Sequence, residues 1–265
     1  MKITVFTSNQ ARHLALIERL CAIADRCFAV MECNTVYPGR RQDFFNKSPV
    51  MERYFGHVVR AEQALFGDVR FVDPHARTMA VRMGDLNLLR QDELAPCLDA
   101  DVFVVFGASF IKGWLCDHLV ERGAFNIHMG LSPYYRGSSC NFWAMYDARP
   151  HMVGATIHQL SSGLDSGPML FHALPRYDGG DPFIYTMRAV AVAQDALSSR
   201  IADCSIFDLP AVPQDKSAQI RYSRNAEFTD EVAQEFLDRM DTGEVSTMPS
   251  GESTYPVGLL SPVFG

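Results

Sequence analysis

Three residues have the types and spacing for acyl-transfer chemistry: Asn126 and His128, which flank Ile127, and Asp165 further along. If Ala124 to His128 is a strand, alternate residues share a face, and Asn126 and His128 point into one pocket. An amide donates hydrogen bonds and an imidazole donates or exchanges a proton. A carboxylate from the loop Gly163-Leu164-Asp165-Ser166-Gly167 can reach that imidazole, orient it and fix its charge. These parts stabilise a tetrahedral oxyanion and move protons as it collapses. The same spacing also suits two solvent-facing strand positions and an aspartate that serves only its own turn.

The surrounding elements must hold these groups in place. Ile3 to Thr7 reads as a strand, and Thr7-Ser8-Asn9 supplies capping residues for a helix through about Ala24, with Leu14, Ile17, Cys21 and Ala24 on one face. Phe28 to Glu32 is a second strand, so the start of the chain is a right-handed crossover unit of a parallel sheet. The pattern predicts a helix over Lys47 to Phe66 and a short strand over Val69 to Val72. Val102 to Phe106 is an unbroken apolar run, the mark of a buried strand, and ends in Gly107-Ala108-Ser109-Phe110-Ile111-Lys112. Ligands of open parallel sheets bind beyond the carboxyl ends of strands, so that turn either lines a pocket or simply connects strand to helix. Val153 to Leu160 and Met169 to Leu174 bracket the Asp165 loop as strands. After Asp181-Pro182, Phe183, Met187, Val190, Ala193, Leu197 and Ile201 mark the core face of a long helix. Thr229-Asp230-Glu231 opens a last helix to about Met240, and residues 241–265, rich in Gly, Ser and Pro, read as an extended tail.

Composition narrows the options. The chain has 265 residues, enough for one large domain or a catalytic domain with a small appendage. No apolar run is long enough to span a membrane, and the N-terminus reads as a first strand rather than a signal peptide, so a cytoplasmic protein with no membrane partner is expected. A formal net charge of -7 argues against a nucleic-acid surface, and Arg40-Arg41 is too short to form a basic stripe. Seven cysteines without a Cys-x-x-Cys pair read as reduced thiols; Cys140, beside the motif region, is either reactive or a small buried residue. His151, His158 and His172 lack ligand spacing, so no metal is expected, and His158 and His172 read as residues ending or flanking strands.

Taken together, Asn126-x-His128, then Pro133-x-Tyr135-Arg136-Gly137, then Asp165-x-Gly167-Pro168 resemble the formyltransferase family that uses 10-formyltetrahydrofolate. That family includes glycinamide ribonucleotide, methionyl-tRNA and sugar-nucleotide formyltransferases. The likeness extends as an ordered pattern over roughly residues 1 to 200 and is sharpest between about 102 and 172. It implies an α/β, Rossmann-like formyltransferase fold with a mostly parallel twisted sheet. It also implies a catalytic domain at 1–203 and a small C-terminal extension at 204–265. Asn126, His128 and Asp165 are then the catalytic group, with no metal required. Phe106, Gly107, Ala108, Ser109, Phe110, Ile111, Gly163 and Leu164 hold the folate co-substrate.

The amine acceptor follows by exclusion within that resemblance. The tRNA enzymes carry a C-terminal barrel and a basic face, whereas about sixty residues follow the long helix here and the chain is acidic. The purine enzymes carry a glycine-rich loop after the first strand, where this chain has Thr7 to His13 without glycine. The hydrolases of formylfolate usually carry an extra N-terminal domain. The sugar-nucleotide group remains, and Met83-Gly84-Asp85-Leu86-Asn87 with the tract from His128 to Trp143 looks most like members acting on GDP-perosamine, an acceptor for surface polysaccharide. Candidate acceptor contacts are Ser8, Asn9, Arg12, Met83, Gly84, Asp85, Asn87, Tyr135 and Arg136. Each has a plainer reading: Ser8 to His13 as capping alone, Met83 to Asn87 as a capped turn, Arg136 as a brace on backbone carbonyls, and Tyr134 and Tyr135 as covers of the core edge. A homodimer is expected from the resemblance only. A formylfolate hydrolase and a non-catalytic folate or nucleotide binder remain the rival classes.

Overall fold

The computed structural model describes residues 1–36, 48–245, 255–256 and 258–265. Its centre is an eight-stranded sheet in the order β10-β8-β7-β5-β4-β1-β2-β3. The strands are β1 (Lys2–Thr7), β2 (Arg26–Cys33), β3 (Ala76–Arg82), β4 (Val102–Val105), β5 (Phe125–His128), β7 (Ala155–Gln159), β8 (Met169–Leu174) and β10 (Val263–Phe264). Only β7 runs antiparallel to its neighbours β5 and β8; every other pairing in this sheet is parallel. β6 (Tyr135–Gly137) pairs with β9 (Arg221–Ser223) in a separate two-stranded ribbon.

The apolar runs explain the layering. In β1 and β4, Ile3, Val5, Val102 and Val104 face one core, while Phe6, Phe103 and Val105 face the other. Both sheet faces are therefore covered, and helices must pack on each. The first core is closed by α1 (Ala11–Ile23), α2 (Pro49–Phe66), α5 (Cys140–Tyr146), α6 (Pro182–Ala202) and α7 (Asp230–Asp241). The second is closed by α3 (Gln91–Leu98) and α4 (Gly113–Glu121) through Leu94, Leu98, Leu115 and Leu119. Every predicted core position of α6 is buried, and Asp181 caps it by accepting from the Phe183 and Ile184 N–H groups. Thr229 caps α7 as its side chain predicts.

Several expectations change. Residue 10, not the Thr7–Asn9 run, caps α1, and Gln10 makes no side-chain cap bond. The Ser8 hydroxyl instead donates to the Glu32 carbonyl, and Asn9 exchanges two bonds with the Asn34 backbone, so both tie β1 to β2. Val69 to Val72 is not a strand, and Phe71 is almost fully exposed. The strand begins at Ala76, after an Asp73 turn whose carboxylate and carbonyl accept the His75 and Ala76 N–H groups. β3 is a half-exposed edge with no apolar run to reveal it. The end of the chain is not a free tail: β10 joins the main sheet beside β8, and the Leu260 carbonyl accepts from the His172 N–H while the Leu260 N–H donates to His172 Nδ1. Arg40-Arg41, Lys47 and residues 246–254 lie outside the described residues.

Candidate active site

β1, β4 and β5 lie side by side and end at one edge, where the chain order of the sheet reverses around β1. Crevices form at such points because the connections leave in opposite directions. Asn126 and His128 stand two residues apart near the end of β5, on the same face. The Asp165 loop arrives from the turn between β7 and β8. Gly167 permits its close approach, since a Cβ there would sit 1.8 Å from the Gln159 carbonyl oxygen. Asp165 itself adopts φ 44°, a left-handed conformation that aspartate tolerates better than most residues. Gln214 holds this loop by donating to the Asp165 and Gly167 carbonyls.

The geometry binds the three groups into one network. His128 Nδ1 lies 3.2 Å from Asp165 Oδ2, with the imidazole 6 % exposed and the carboxylate 19 %. Asn126 Nδ2 donates to Asp165 Oδ1 at 3.2 Å and contacts His158 Nε2 at 2.9 Å. His158 Nδ1 lies 2.7 Å from the Gln159 carbonyl, which can only accept; its proton therefore sits on Nδ1, and Nε2 takes the Asn126 hydrogen. Both amide hydrogens of Asn126 are thus engaged by protein, a departure from the free donor that the sequence suggests. Burial alone would lower the His128 pKa, but the Asp165 charge and the Cys140 sulfur outweigh it, and the value rises well above that of ordinary histidine. Burial alone would raise Asp165, yet the charge and hydrogen bond of His128 hold its carboxyl far below the usual carboxylate range. Together these directions describe an imidazolium–carboxylate pair at neutral pH. Nε2 of His128 is the outward donor, 3.6 Å from Cys140 Sγ. Gly130 leaves room there, since a Cβ would stand 2.8 Å from Nε2.

A cavity of about 340 Å³ opens on this group. Asn126, His128, His158 and Asp165 line it, as do all eight folate candidates: Phe106, Gly107, Ala108, Ser109, Phe110, Ile111, Gly163 and Leu164. A second cavity of similar size adjoins it, sharing Arg12, Met129 and Val190, and is walled by Tyr54, Phe142, Phe183 and Phe228. Of the acceptor candidates only Arg12 lines these two cavities, and its guanidinium pairs with Glu62 at 2.9 Å. Tyr135 is buried, with its hydroxyl donating to Asp147 at 3.0 Å. Asp85 and Met83 are exposed.

Gly84 and Asn87 act on the folate loop instead. The Glu32 carboxylate, fully buried at the end of β2, accepts from the Gly84 and Leu86 N–H groups and from both the N–H and hydroxyl of Ser109. Asn87 donates to the Phe110 carbonyl at 2.9 Å and accepts from the Lys112 N–H at 2.7 Å. The tract 84–87 and Glu32 therefore clamp residues 109–112 from behind.

Sequence reading missed the place of His158 in the network and the role of Glu32. The first had a signal: β7 pairs with β5 so that His158 stands opposite Asn126. Glu32 had none, because a single carboxylate at a strand end gives no pattern. Among the described residues no group of three or more His, Cys, Asp or Glu has the geometry to hold a metal ion, and no helix is long and apolar enough to cross a membrane.

The sheet order and its helical layers are those of the Rossmann-like formyltransferase fold. Residues 87–189 match the family model described as formyl transferase. Over 86 residues, 31 % of this chain, the sequence is 40 % identical to a methionyl-tRNA formyltransferase of Thermosynechococcus vestitus. The chain spans only 26 % of that relative's length and 38 % of another of the same description. Among solved structures, a 4-N formyltransferase from Francisella tularensis aligns with a TM-score of 0.55 at 15 % identity, covering 86 % of this chain and 77 % of that one. A sugar N-formyltransferase from a Shewanella species aligns at 0.50 and 15 %, covering 86 % and 78 %.

Proposed function

We propose that this protein transfers the formyl group of 10-formyltetrahydrofolate to an amine on a nucleotide-linked sugar, with GDP-perosamine the first acceptor to test. The observation that carries the reading is the buried His128–Asp165 pair, 3.2 Å apart, with Asn126 joined to it. A charged imidazole with its Nδ1 proton committed to Asp165 leaves Nε2–H, whose neighbour is the weakly accepting Cys140 sulfur, to donate to a formyl oxygen that gains negative charge as the amine attacks. Asn126 adds a second donor if one of its amide hydrogens turns from Asp165 or His158 to that oxygen. Asp165 is placed to stabilise the imidazolium and, directly or through a water, to accept the proton that the amine loses. The leaving group is the folate nitrogen, which takes a proton in turn. Phe106 to Ile111, braced by Glu32 and Asn87, with Gly163 and Leu164 opposite, form the walls for the folate.

The sugar acceptor is supported by the sequence resemblance and by the net charge of -7, which disfavours a tRNA surface. Mass spectrometry of a panel of nucleotide-linked amino sugars, incubated with enzyme and 10-formyltetrahydrofolate, tests it. A mass gain of one formyl group on a single sugar, lost in His128→Ala, supports the reading. Formate released with no sugar modified turns it to a hydrolase.

A further inference from the structure

Small-molecule sites are mostly apolar, with a few polar groups that converge on the ligand. The second cavity, about 340 Å³ in volume, has that make-up. The Tyr54 ring meets Phe142, Phe183, Phe228 and Phe236 edge-on, at centroid distances of 4.9 to 6.5 Å. Those contacts hold the ring, and the residue is only 7 % exposed. Yet its hydroxyl bonds to no described residue, and burial is the one influence that raises its pKa. Nor is that oxygen sealed in, as the unpartnered Nε1 of Trp143 is. Asn141, also buried, is a second group of this kind. Its Oδ1 accepts from the Gly154 N–H at 3.0 Å, which fixes the orientation of the amide. Nδ2 faces away from that bond and donates to no described residue. Both groups are donors, and a buried donor left unmet is costly. The cavity is therefore suited to a body that brings acceptor oxygens.

Free charge is missing from the same wall. Among the described residues that line it, Arg12 is the one cation. Glu62 already takes the Arg12 guanidinium at 2.9 Å and its backbone N–H, at the start of α1, at 3.0 Å. The helix end that would suit a phosphate is thus met by an internal carboxylate. Arg136, the other cation expected on the acceptor side, lines neither cavity; its side chain bonds to Gln219 at 3.4 Å. No described carboxylate lines the second cavity either. An ammonium entering it would be desolvated without a partner, so an amine is favoured there in its neutral form, the form that attacks.

The two cavities meet beside the reacting groups, since they share Val190 and Met129, the residue after His128. We propose that the aromatic cavity is the acceptor subsite and that it takes the amine-bearing ring as a neutral, deoxygenated body. Tyr54 and Asn141 donate to oxygens on that ring, and any phosphate lies outside. The acceptor class is then a 6-deoxy amino sugar, with a methyl group where most sugars carry a hydroxymethyl. This assignment rests on the transferase reading, which does not itself say where the acceptor sits.

Two variants test it. Val58 lines this cavity and not the catalytic one, so Val58→Phe narrows the subsite alone. Tyr54→Phe removes one donor and keeps the ring. Thermal-shift titration without formylfolate follows the binding of 6-deoxy members of the sugar panel, GDP-perosamine first. Each is compared with its 6-hydroxymethyl counterpart and with the free nucleotide, and formyl transfer then supplies KM values. Wild type should bind the 6-deoxy sugar roughly tenfold more tightly than its counterpart, the scale of one group in an apolar pocket. Tyr54→Phe should raise its Kd and KM about tenfold, and Val58→Phe should raise them further. The Kd of the free nucleotide and the KM of formylfolate should stay unchanged, whereas a merely structural role would move both. Unchanged sugar binding in both variants overturns the proposal, as does failure of every 6-deoxy sugar to bind wild type. Nucleotide affinity that falls along with that of the sugar also overturns it, because the base would then occupy the cavity. Binding that the variants lose, with no formyl transfer by wild type, keeps the subsite and refutes the transferase reading. Formyl transfer with an unchanged acceptor KM in both variants does the reverse.

Discussion

Replacing Asp165 with asparagine keeps the shape of the site and removes its charge. Two unit charges 3.2 Å apart attract by about 5 kcal/mol at an effective dielectric of about 20. In wild type this attraction overcomes the burial that would otherwise neutralise His128. Without it burial wins, and the imidazole sheds its proton below the ordinary histidine range instead of above it. At neutral pH the variant then lacks a charged donor for the formyl oxygen, and kcat should fall about 100- to 1,000-fold, the usual effect of losing one such donor. Two assays read this out: formyl transfer at saturating substrates across the neutral and alkaline range, and NMR titration of the His128 ring. The wild-type ring should stay protonated well above the ordinary histidine pKa of about 6.5, and the Asp165→Asn ring should titrate below it. An unchanged titration in the variant would refute the reasoning, because no other carboxylate is within pairing distance of His128 among the described residues.

The same pair makes stability depend on pH. His128 is raised when folded, so its contribution is complete below the unfolded value near 6.5 and is lost as pH climbs through the folded value. Asp165 is depressed, so its contribution is present above about 3.9 and is lost as pH falls through its folded value. Thermal unfolding should therefore show a broad plateau between the two, and Asp165→Asn should lose the wild-type stability decline on the alkaline side. Glu32→Ala would strand the buried Leu86 N–H and remove the acceptor of the partly buried Gly84 and Ser109 N–H groups, costing about 1–3 kcal/mol of stability; differential scanning calorimetry measures it. The milder Asn87→Ala should raise KM for formylfolate several-fold and leave acceptor KM unchanged, the split expected if it only braces Phe110 and Lys112. Gly107→Ala places a Cβ 2.3 Å from His13 Nε2 at a positive φ of 71°. Tetrahydrofolate binding, followed by fluorescence, should weaken at least tenfold, because either His13 or the loop must move into the cavity.

The buried parallel strands were legible because both their faces are covered, which leaves unbroken apolar runs such as Val102 to Phe106. α6 was legible from its period, and α7 from its cap. β3 was not, because an edge strand with a half-exposed face carries no such run, and the apolar Val69–Val72 nearby misled the reading toward a segment that stays at the surface. The meeting of Asn126 and His128 on one face follows from the two-residue repeat of a strand. The arrival of Asp165 was open from the residues alone, one of two readings of a Gly-flanked loop, and the family pattern favoured it, since no local rule brings residue 165 to residue 128. The acceptor side fared worst. Ser8, Asn9 and Asn87 are polar residues at loop ends and Gly84 offers a backbone N–H, and sequence cannot tell a donor offered to a ligand from one spent on a neighbouring strand. The structure spends all four on its own backbone or on Glu32.

The most direct test of the account is the rate of formyl transfer from 10-formyltetrahydrofolate to the identified amine, measured for wild type and for Asn126→Ala, His128→Ala and Asp165→Ala. The account predicts that each variant folds, binds tetrahydrofolate and loses kcat by about two orders of magnitude or more. Near wild-type transfer by all three would show that the network at the end of β5 does not carry the reaction.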